Sequence, residues 1–386
     1  MSKIVDQWVG RLKGKLPPVG EMNHWERLTR AFDLKKTDYV PVAPELDYWQ
    51  ITYAGYSHRE IYNDVDKTTD ACLKTWAELR CDAIWMYVDI GHQLEPFVPP
   101  EKRAEHFILR GDKDYLLFKP VAHTLDEAIA LYESKVWEKY GASSRAATHY
   151  TPHMLQLLEF QEKMGRQVPV IVGTATPSNC AETIVEVQNF LRWMVVEPVD
   201  KVKHFLELVL QERLGALEFY KEFAAQNGCQ FMCLFGGART WGPKHLDLFG
   251  DYDRIFTEKV TEAFPYTFWH HCGHNLPKAL DMISAMKGMK AVQYDMPYYG
   301  QTLSWPEWFE QVARKFHGKQ CAMNAPTTQL ACHGTAPQVS EMVGQFIEAT
   351  LPHTTACVMP GCEIDSFSPT ENVKAMIDTA RAKKIS

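Results

Sequence analysis

The stretch Tyr266-Thr267-Phe268-Trp269-His270-His271-Cys272 decides how this chain reads. It is rich in aromatic and β-branched residues, too short for a core helix and the right length for a buried strand. Seven similar runs flank it. Tyr39 to Ala43, Asp82 to Val88, Val168 to Gly173 and Gln230 to Phe235 come before it; Ala291 to Tyr294, Gln320 to Asn324 and Ala356 to Pro360 come after. Helical periodicity fills the later intervals, over Ile184 to Met194, Val202 to Phe223, Leu276 to Met286, Trp305 to Phe316, Val339 to Thr350 and Glu371 to Ala382. Pro369-Thr370-Glu371 places proline and acid where a helix begins.

Strand-like runs alternating with helices predict a parallel sheet, and eight strands close a barrel. An open doubly wound sheet would want a glycine-rich phosphate turn after the first strand. Pro44-Glu45-Leu46-Asp47 offers none. The expected fold is α/β: one (β/α)8 TIM-type barrel over residues 1–386. Residues 1–35 are expected to form a helical cap at the barrel bottom. Residues 106–120 are expected to form a β-hairpin insertion, with strands Phe107 to Arg110 and Tyr115 to Lys119 around Gly111-Asp112-Lys113-Asp114.

Bulk properties fit a large soluble core. The 386 residues are 46% hydrophobic and 23% charged, ordinary globular proportions. A net charge of -7 with dispersed Lys and Arg argues against nucleic acid, which requires clustered cations. Met1 to Pro18 alternates charge with apolar residues and lacks the apolar centre of a signal peptide. No run approaches the roughly 18 apolar residues of a membrane helix. A cytoplasmic location away from membranes is expected. There the ten cysteines should be reduced. Cys72, Cys81, Cys180, Cys229, Cys233, Cys321, Cys332 and Cys357 read as small buried hydrophobes.

Barrel chemistry sits at the C-terminal ends of strands. Those ends carry Glu45 and Asp47, Asp89 and His92, Thr174, Arg239, His270 and Cys272, Asp295, Asn324, and Cys362 with Glu363. Strand side chains alternate faces, so His270 and Cys272 point one way and His271 the other. An imidazole beside a thiol suits a borderline-soft ion such as zinc. For that pair alone, a buried histidine beside an inert thiol is the simpler reading. Met359-Pro360-Gly361-Cys362-Glu363 adds a second thiol in a turn after the eighth strand. Three protein ligands with an open fourth position is the catalytic zinc arrangement. Glu45, Asp295 and Glu363 are the carboxylate candidates for the fourth position or for proton transfer. Trp49, Tyr87, Asp89, Arg239, Tyr294 and Asn324 are the substrate-pocket candidates, within a rim that also carries Trp85, Trp241, Trp269, Tyr298 and Tyr299.

With these segments in hand, the chain resembles the uroporphyrinogen decarboxylase superfamily, in its zinc-dependent, corrinoid-linked methyltransferase branch. His270-His271-Cys272-Gly273, Gly361-Cys362-Glu363-Ile364 and Ser368-Pro369-Thr370-Glu371-Asn372-Val373 carry the resemblance. Trp25-Glu26-Arg27, Asp38-Tyr39-Val40-Pro41-Val42, Leu94-Glu95-Pro96-Phe97 and Asn324 support it. It implies a TIM-type barrel with zinc on His270, Cys272 and Cys362. It also implies a corrinoid (cobalamin) cofactor and methyl transfer to or from a small substrate. That substrate is a thiol such as coenzyme M, or an O- or N-methyl compound in a demethylase system. The chain carries no Asp-x-His-x-x-Gly cobalamin motif, so the corrinoid is expected on a separate partner protein; a homodimer is compatible with this reading. The arginine-rich N-terminal segment of true uroporphyrinogen decarboxylases is absent. Ala43-Pro44-Glu45-Leu46-Asp47-Tyr48-Trp49 stands there instead, and its acids would repel a tetrapyrrole carrying many carboxylates. The alternatives are a metal-free decarboxylase on the same barrel and a non-catalytic module that binds a corrinoid protein.

Overall fold

Seven of the eight expected runs join one parallel sheet in a computed structural model that describes residues 2–61, 64–87, 96–102, 107–109, 116–139, 150–237, 241–275, 277–297 and 302–385. In chain order the described strands are β1 Ile84–Trp85, β2 Phe107–Leu109, β3 Leu116–Phe118, β4 Val170–Ala175, β5 Phe231–Phe235, β6 Tyr266–Asn275, β7 Ala291–Pro297, β8 Cys321–Asn324 and β9 Ala356–Val358. The sheet runs β1-β4-β5-β6-β7-β8-β9, each strand beside the next, and β2-β3 is a separate antiparallel hairpin. Helices cross between the strands, among them Val199–Asn227, Pro243–Ala263, Pro277–Ala285, Trp305–Phe316, Ala336–Thr350 and Thr370–Ala382. This is the curled α/β barrel that the alternation of runs predicted.

The first run, 39–43, makes no ladder of its own yet sits where an eighth strand belongs. Val358 N–H donates to Pro41 O at 2.8 Å and Ala43 N–H donates to Val358 O at 3.0 Å. On the other side Asp82 N–H donates to Val42 O at 2.7 Å, and the Asp82 carboxylate accepts from Val42 N–H at 2.9 Å. Pro41 has no N–H to give a ladder, and a carboxylate replaces the neighbouring strand's carbonyl at Val42. The segment therefore bridges β9 to the chain entering β1 without being a regular strand.

Alternation sorts the side chains into two layers. Ile171, Phe231, Cys233, Phe268, Ala291, Cys321, Met323 and Cys357 pack together inside the sheet. Val172, Met232, Trp269, Val292, Tyr294 and Val358 pack outward against the helices. The helix His24–Phe32, capped by Asn23 Oδ1 on Glu26 N–H, lies across the strand starts. Trp25 and Phe32 meet Phe231 ring to ring at 5.3 and 6.0 Å. The helix Lys3–Leu12 does not join it there. It packs outside, on the helices Val65–Leu79 and Tyr150–Lys163, with Trp8 Nε1–H donating to Asp70 at 2.8 Å. Both were expected at the barrel bottom; the Trp8 face found its apolar partners on the outer helix layer.

Beneath the strand starts lies a buried ionic knot. The guanidinium of fully buried Arg27 donates from Nε and Nη2 to Asp38 at 2.6 and 2.8 Å and from Nη1 to Asp82 at 2.6 Å. His24 Nδ1 also reaches Asp82, at 2.8 Å, so one carboxylate serves the cap helix, the bridging segment and β1. Burial alone would push the Asp38 carboxyl up, but Arg27 and the N–H groups of Met22 and Glu21 outweigh it and hold it down at about 2. A carboxylate held low stabilises the fold fully above its unfolded value of about 4 and loses that contribution as pH falls toward about 2. Arg27→Met leaves both acids without their cation and should cost about 3–5 kcal/mol in urea unfolding at neutral pH. The gap from wild type should narrow as pH is lowered through that window; an undiminished gap in acid would rule out an ionic origin.

Candidate metal centre

The register of the parallel strands sets one level of the barrel interior. Phe235 pairs with His270, His270 with Gln293, Gln293 with Met323, and Met323 with Cys357. Residues at one level of a parallel sheet share a face, and the His270 ring meets Phe235 edge-on at 5.5 Å. Cys272 and Asp295 share this parity one step further along. A glycine after Cys272 is free to turn the chain sharply away. Instead β6 bulges: its register slips between His271 and His274, Gly273 takes φ +83°, and pairing resumes through Asn275. Glycine holds that left-handed conformation without a Cβ penalty. Gly273 N–H then donates to Asp295 Oδ2 at 3.0 Å.

Cys362 arrives from the loop after β9. Its Sγ lies 3.9 Å from His270 Nε2, and the donor atoms of His270, Cys272 and Cys362 all lie within 4.8 Å of one another. His270 and Cys272 are buried and Cys362 half-buried. The loop is pinned from several sides. Ile364 N–H donates to Glu45 O at 2.8 Å, Trp49 Nε1–H to Ser368 O at 2.8 Å, and Thr52 Oγ1–H to Ser366 O at 3.3 Å. The segment that completes the barrel thus also fixes the second cysteine.

Two groups back the histidine. Glu45 Oε2 lies 3.2 Å from His270 Nδ1, and Gln293 Oε1 lies 2.5 Å from the same nitrogen. Gln293 was missed in the sequence because it stands inside an apolar run, one residue before the strand end that was searched. The available signal was parity: Ala291, Gln293 and Asp295 alternate onto one face, and a glutamine facing a barrel core needs polar partners.

Burial alone would lower the His270 pKa, but the Glu45 carboxylate and Cys272 outweigh it and raise it. Cys272 and burial push the Cys362 thiol well up. Burial, opposed by Gly273 N–H and aided by Cys272, raises Asp295 to about 6; burial and then Glu45 raise Glu363 to about 8. Two adjacent thiols and several acids in a dry pocket need a cation before they can ionise together. Asp295 Oδ1 is buried with no hydrogen-bond partner among the described residues, and the Cβ position of Gly361 would lie 2.3 Å from it. A spare carboxylate oxygen thus sits beside the Cys362 turn. One imidazole and two thiols, with a fourth position left open, fit a zinc donor set.

The expected pocket residues divide. Tyr294 does not face the interior: it has the opposite parity and packs against Trp308 and Phe316, both with centroids 6.0 Å away. Asn324 is likewise used structurally, donating from Nδ2 to Tyr294 O at 2.6 Å and accepting Ala325 N–H at 2.5 Å. Trp85 belongs to the inner barrel core, Trp241 to an outer cluster with Phe190 and Phe249, and Trp269 to the outward layer. Trp49 stacks on Tyr53, and Tyr87 packs edge-on to Tyr48. Asp89, His92, Arg239, Tyr298 and Tyr299 lie outside the described residues.

The family model for uroporphyrinogen decarboxylase matches residues 131–383, well over half of the chain and all three clustered donors. The chain belongs to the uroporphyrinogen decarboxylase family. The fold is similar to that of a methyltransferase from Methanosarcina mazei, with a TM-score of 0.70 and 17% identity, over 94% of this chain and 99% of that one. No curated protein matches it. Among the described residues no helix is long and apolar enough to cross a membrane.

The Gly361–Asp295 contact can be tested directly. Gly361→Ala forces its methyl into the Asp295 carboxylate and should destabilise the protein by about 1–3 kcal/mol. In an Asp295→Ala background most of that cost should vanish, a non-additivity read by urea unfolding of the two single variants and the double. Additive losses would place the clash elsewhere.

Proposed function

We propose that this family member is a zinc-dependent methyltransferase, passing a methyl group between a corrinoid carried by a separate protein and a small substrate. The observation that carries the proposal is the convergence of His270 Nε2, Cys272 Sγ and Cys362 Sγ within 4.8 Å at the strand ends where barrel enzymes work. Fold similarity to a protein named as a methyltransferase supports the same reading. Buried Glu45, Asp47 and Asp295 would repel a polycarboxylate porphyrin, which disfavours decarboxylation of that substrate. Trp85, Trp241, Trp269 and Tyr294 are committed to packing, so the described residues give little support to an aromatic ether pocket. A small thiol acceptor is the reading we favour, in the cytoplasm.

His270, Cys272 and Cys362 would hold the zinc, with Asp295 or an incoming substrate completing the set. When bound, zinc would supply the positive charge that lets a thiol ionise at neutral pH. The protein's own groups would do the rest. Glu45 and Gln293 would steady the imidazole, and Asp295 Oδ1 would take the proton that the substrate thiol releases. A corrinoid docked over the barrel mouth would supply the methyl group to that sulfur and would keep the bonding electron pair.

Purified wild type should contain about one zinc per chain, and Cys362→Ser should lose most of it. Equal zinc in the two proteins would sink the three-donor assignment. Thiols with methylcobalamin, and methyl ethers or amines with cob(I)alamin, separate the two directions of transfer; activity only in the second would overturn the thiol reading. Full turnover by zinc-free Cys272→Ser would favour the metal-free enzyme.

A further inference from the structure

We infer that Gln293 is the positioning residue of this centre, joining the tautomer of His270 to the turn that presents Cys362. The inference deepens the zinc reading and rests on it for its metal-binding consequence; the tautomer itself is a property of the protein alone.

The argument starts from a group whose role admits no choice. Pro360 O is a carbonyl oxygen and can only accept, and it lies 2.5 Å from Gln293 Nε2. The NH2 end of the amide must therefore face Pro360. Its second hydrogen is directed to Glu45 Oε2 at 3.3 Å. With the NH2 end so committed, the amide oxygen must face His270 Nδ1, 2.5 Å away. An amide oxygen only accepts, so Nδ1 carries the hydrogen. The lone pair of the neutral ring is then left on Nε2, the nitrogen nearest Cys362 Sγ at 3.9 Å. Glu45 reaches Nδ1 too, at 3.2 Å, but the same amide steadies its Oε2.

One buried side chain thus spans two donors 92 residues apart. At one end it fixes which histidine nitrogen is free to bind a metal. At the other it anchors the carbonyl two residues before Cys362. A group that orients a ligand in this way typically governs metal affinity by about 10–100-fold.

Gln293→Met keeps length and bulk but loses both ends of the amide. Gln293→Glu keeps an oxygen for Nδ1–H but, as a carboxylate, cannot donate to Pro360. Two readouts apply to the purified full chain. The first is nitrogen NMR of ¹⁵N-histidine-labelled, metal-free protein, taken up in pH until the His270 ring is neutral, where wild-type His270 should show its one hydrogen on Nδ1. Gln293→Glu should keep that pattern and Gln293→Met should lose it to a mixture. The second is zinc affinity by chelator competition, expected to drop about 10–100-fold in Gln293→Met, with cobalt(II) spectra reporting the altered donor geometry. An unchanged tautomer together with affinity within about twofold of wild type in Gln293→Met would overturn the inference. If wild type binds no zinc yet shows the Nδ1–H tautomer lost in Gln293→Met, the zinc reading fails and the positioning role stands.

Discussion

The barrel depends on how segment 39–43 is suspended between β9 and Asp82. It contributes no regular ladder, yet three backbone bonds and one carboxylate hold it in the eighth position. Asp82 can do this because Arg27 neutralises it and His24 hydrogen-bonds it from below. A buried ion pair of this kind is seldom a large net source of stability, but removing one partner is costly. Here it fixes where the first strand-like run lies, and therefore where Glu45 lies. Glu45 in turn meets His270 with its carboxylate and the loop of Cys362 with its backbone carbonyl. Closure of the fold and assembly of the candidate centre are one event.

The interior is graded along its axis. Aromatic and sulfur-bearing side chains such as Phe231, Cys233, Phe268 and Cys321 fill the lower levels. Polar residues start at the level of His270 and Gln293, and carboxylates and thiols gather above them. In such a gradient a buried polar atom is tolerated only with a partner. Gln293 has one for each end of its amide, whereas Asp295 Oδ1 has none among the described residues. That difference separates a side chain used at both ends from one with an oxygen to spare.

Much of this was legible in the sequence because it follows from period and parity. Alternating runs gave the sheet and its strand order, and the helix Trp305–Phe316 lies where the periodicity put it. The spacing of His270 and Cys272 placed both on one face. What escaped has a physical reason. Tyr294 was taken for a pocket residue because it stands near a strand end, but nearness to an end does not fix a face. Gln293 was overlooked by the same rule applied in reverse. The bulge at Gly273 leaves no local mark, since a left-handed glycine serves a turn or a bulge and only the partner strand decides. The path of the loop around Cys362 depends on Trp49, Thr52 and Glu45, contacts between distant segments that no local pattern records.

The separation of the donors along the chain has a consequence for synthesis. His270 and Cys272 leave the ribosome together, but their third companion follows 92 residues after the histidine, behind β7, β8 and β9. Until those strands have docked, the growing polypeptide offers an ion only an imidazole and a thiol, a grip of two that is shallow and exchangeable. The three donors come together only in a finished barrel, so an ion that needed all three would mark a chain that has folded to the end rather than one still being made.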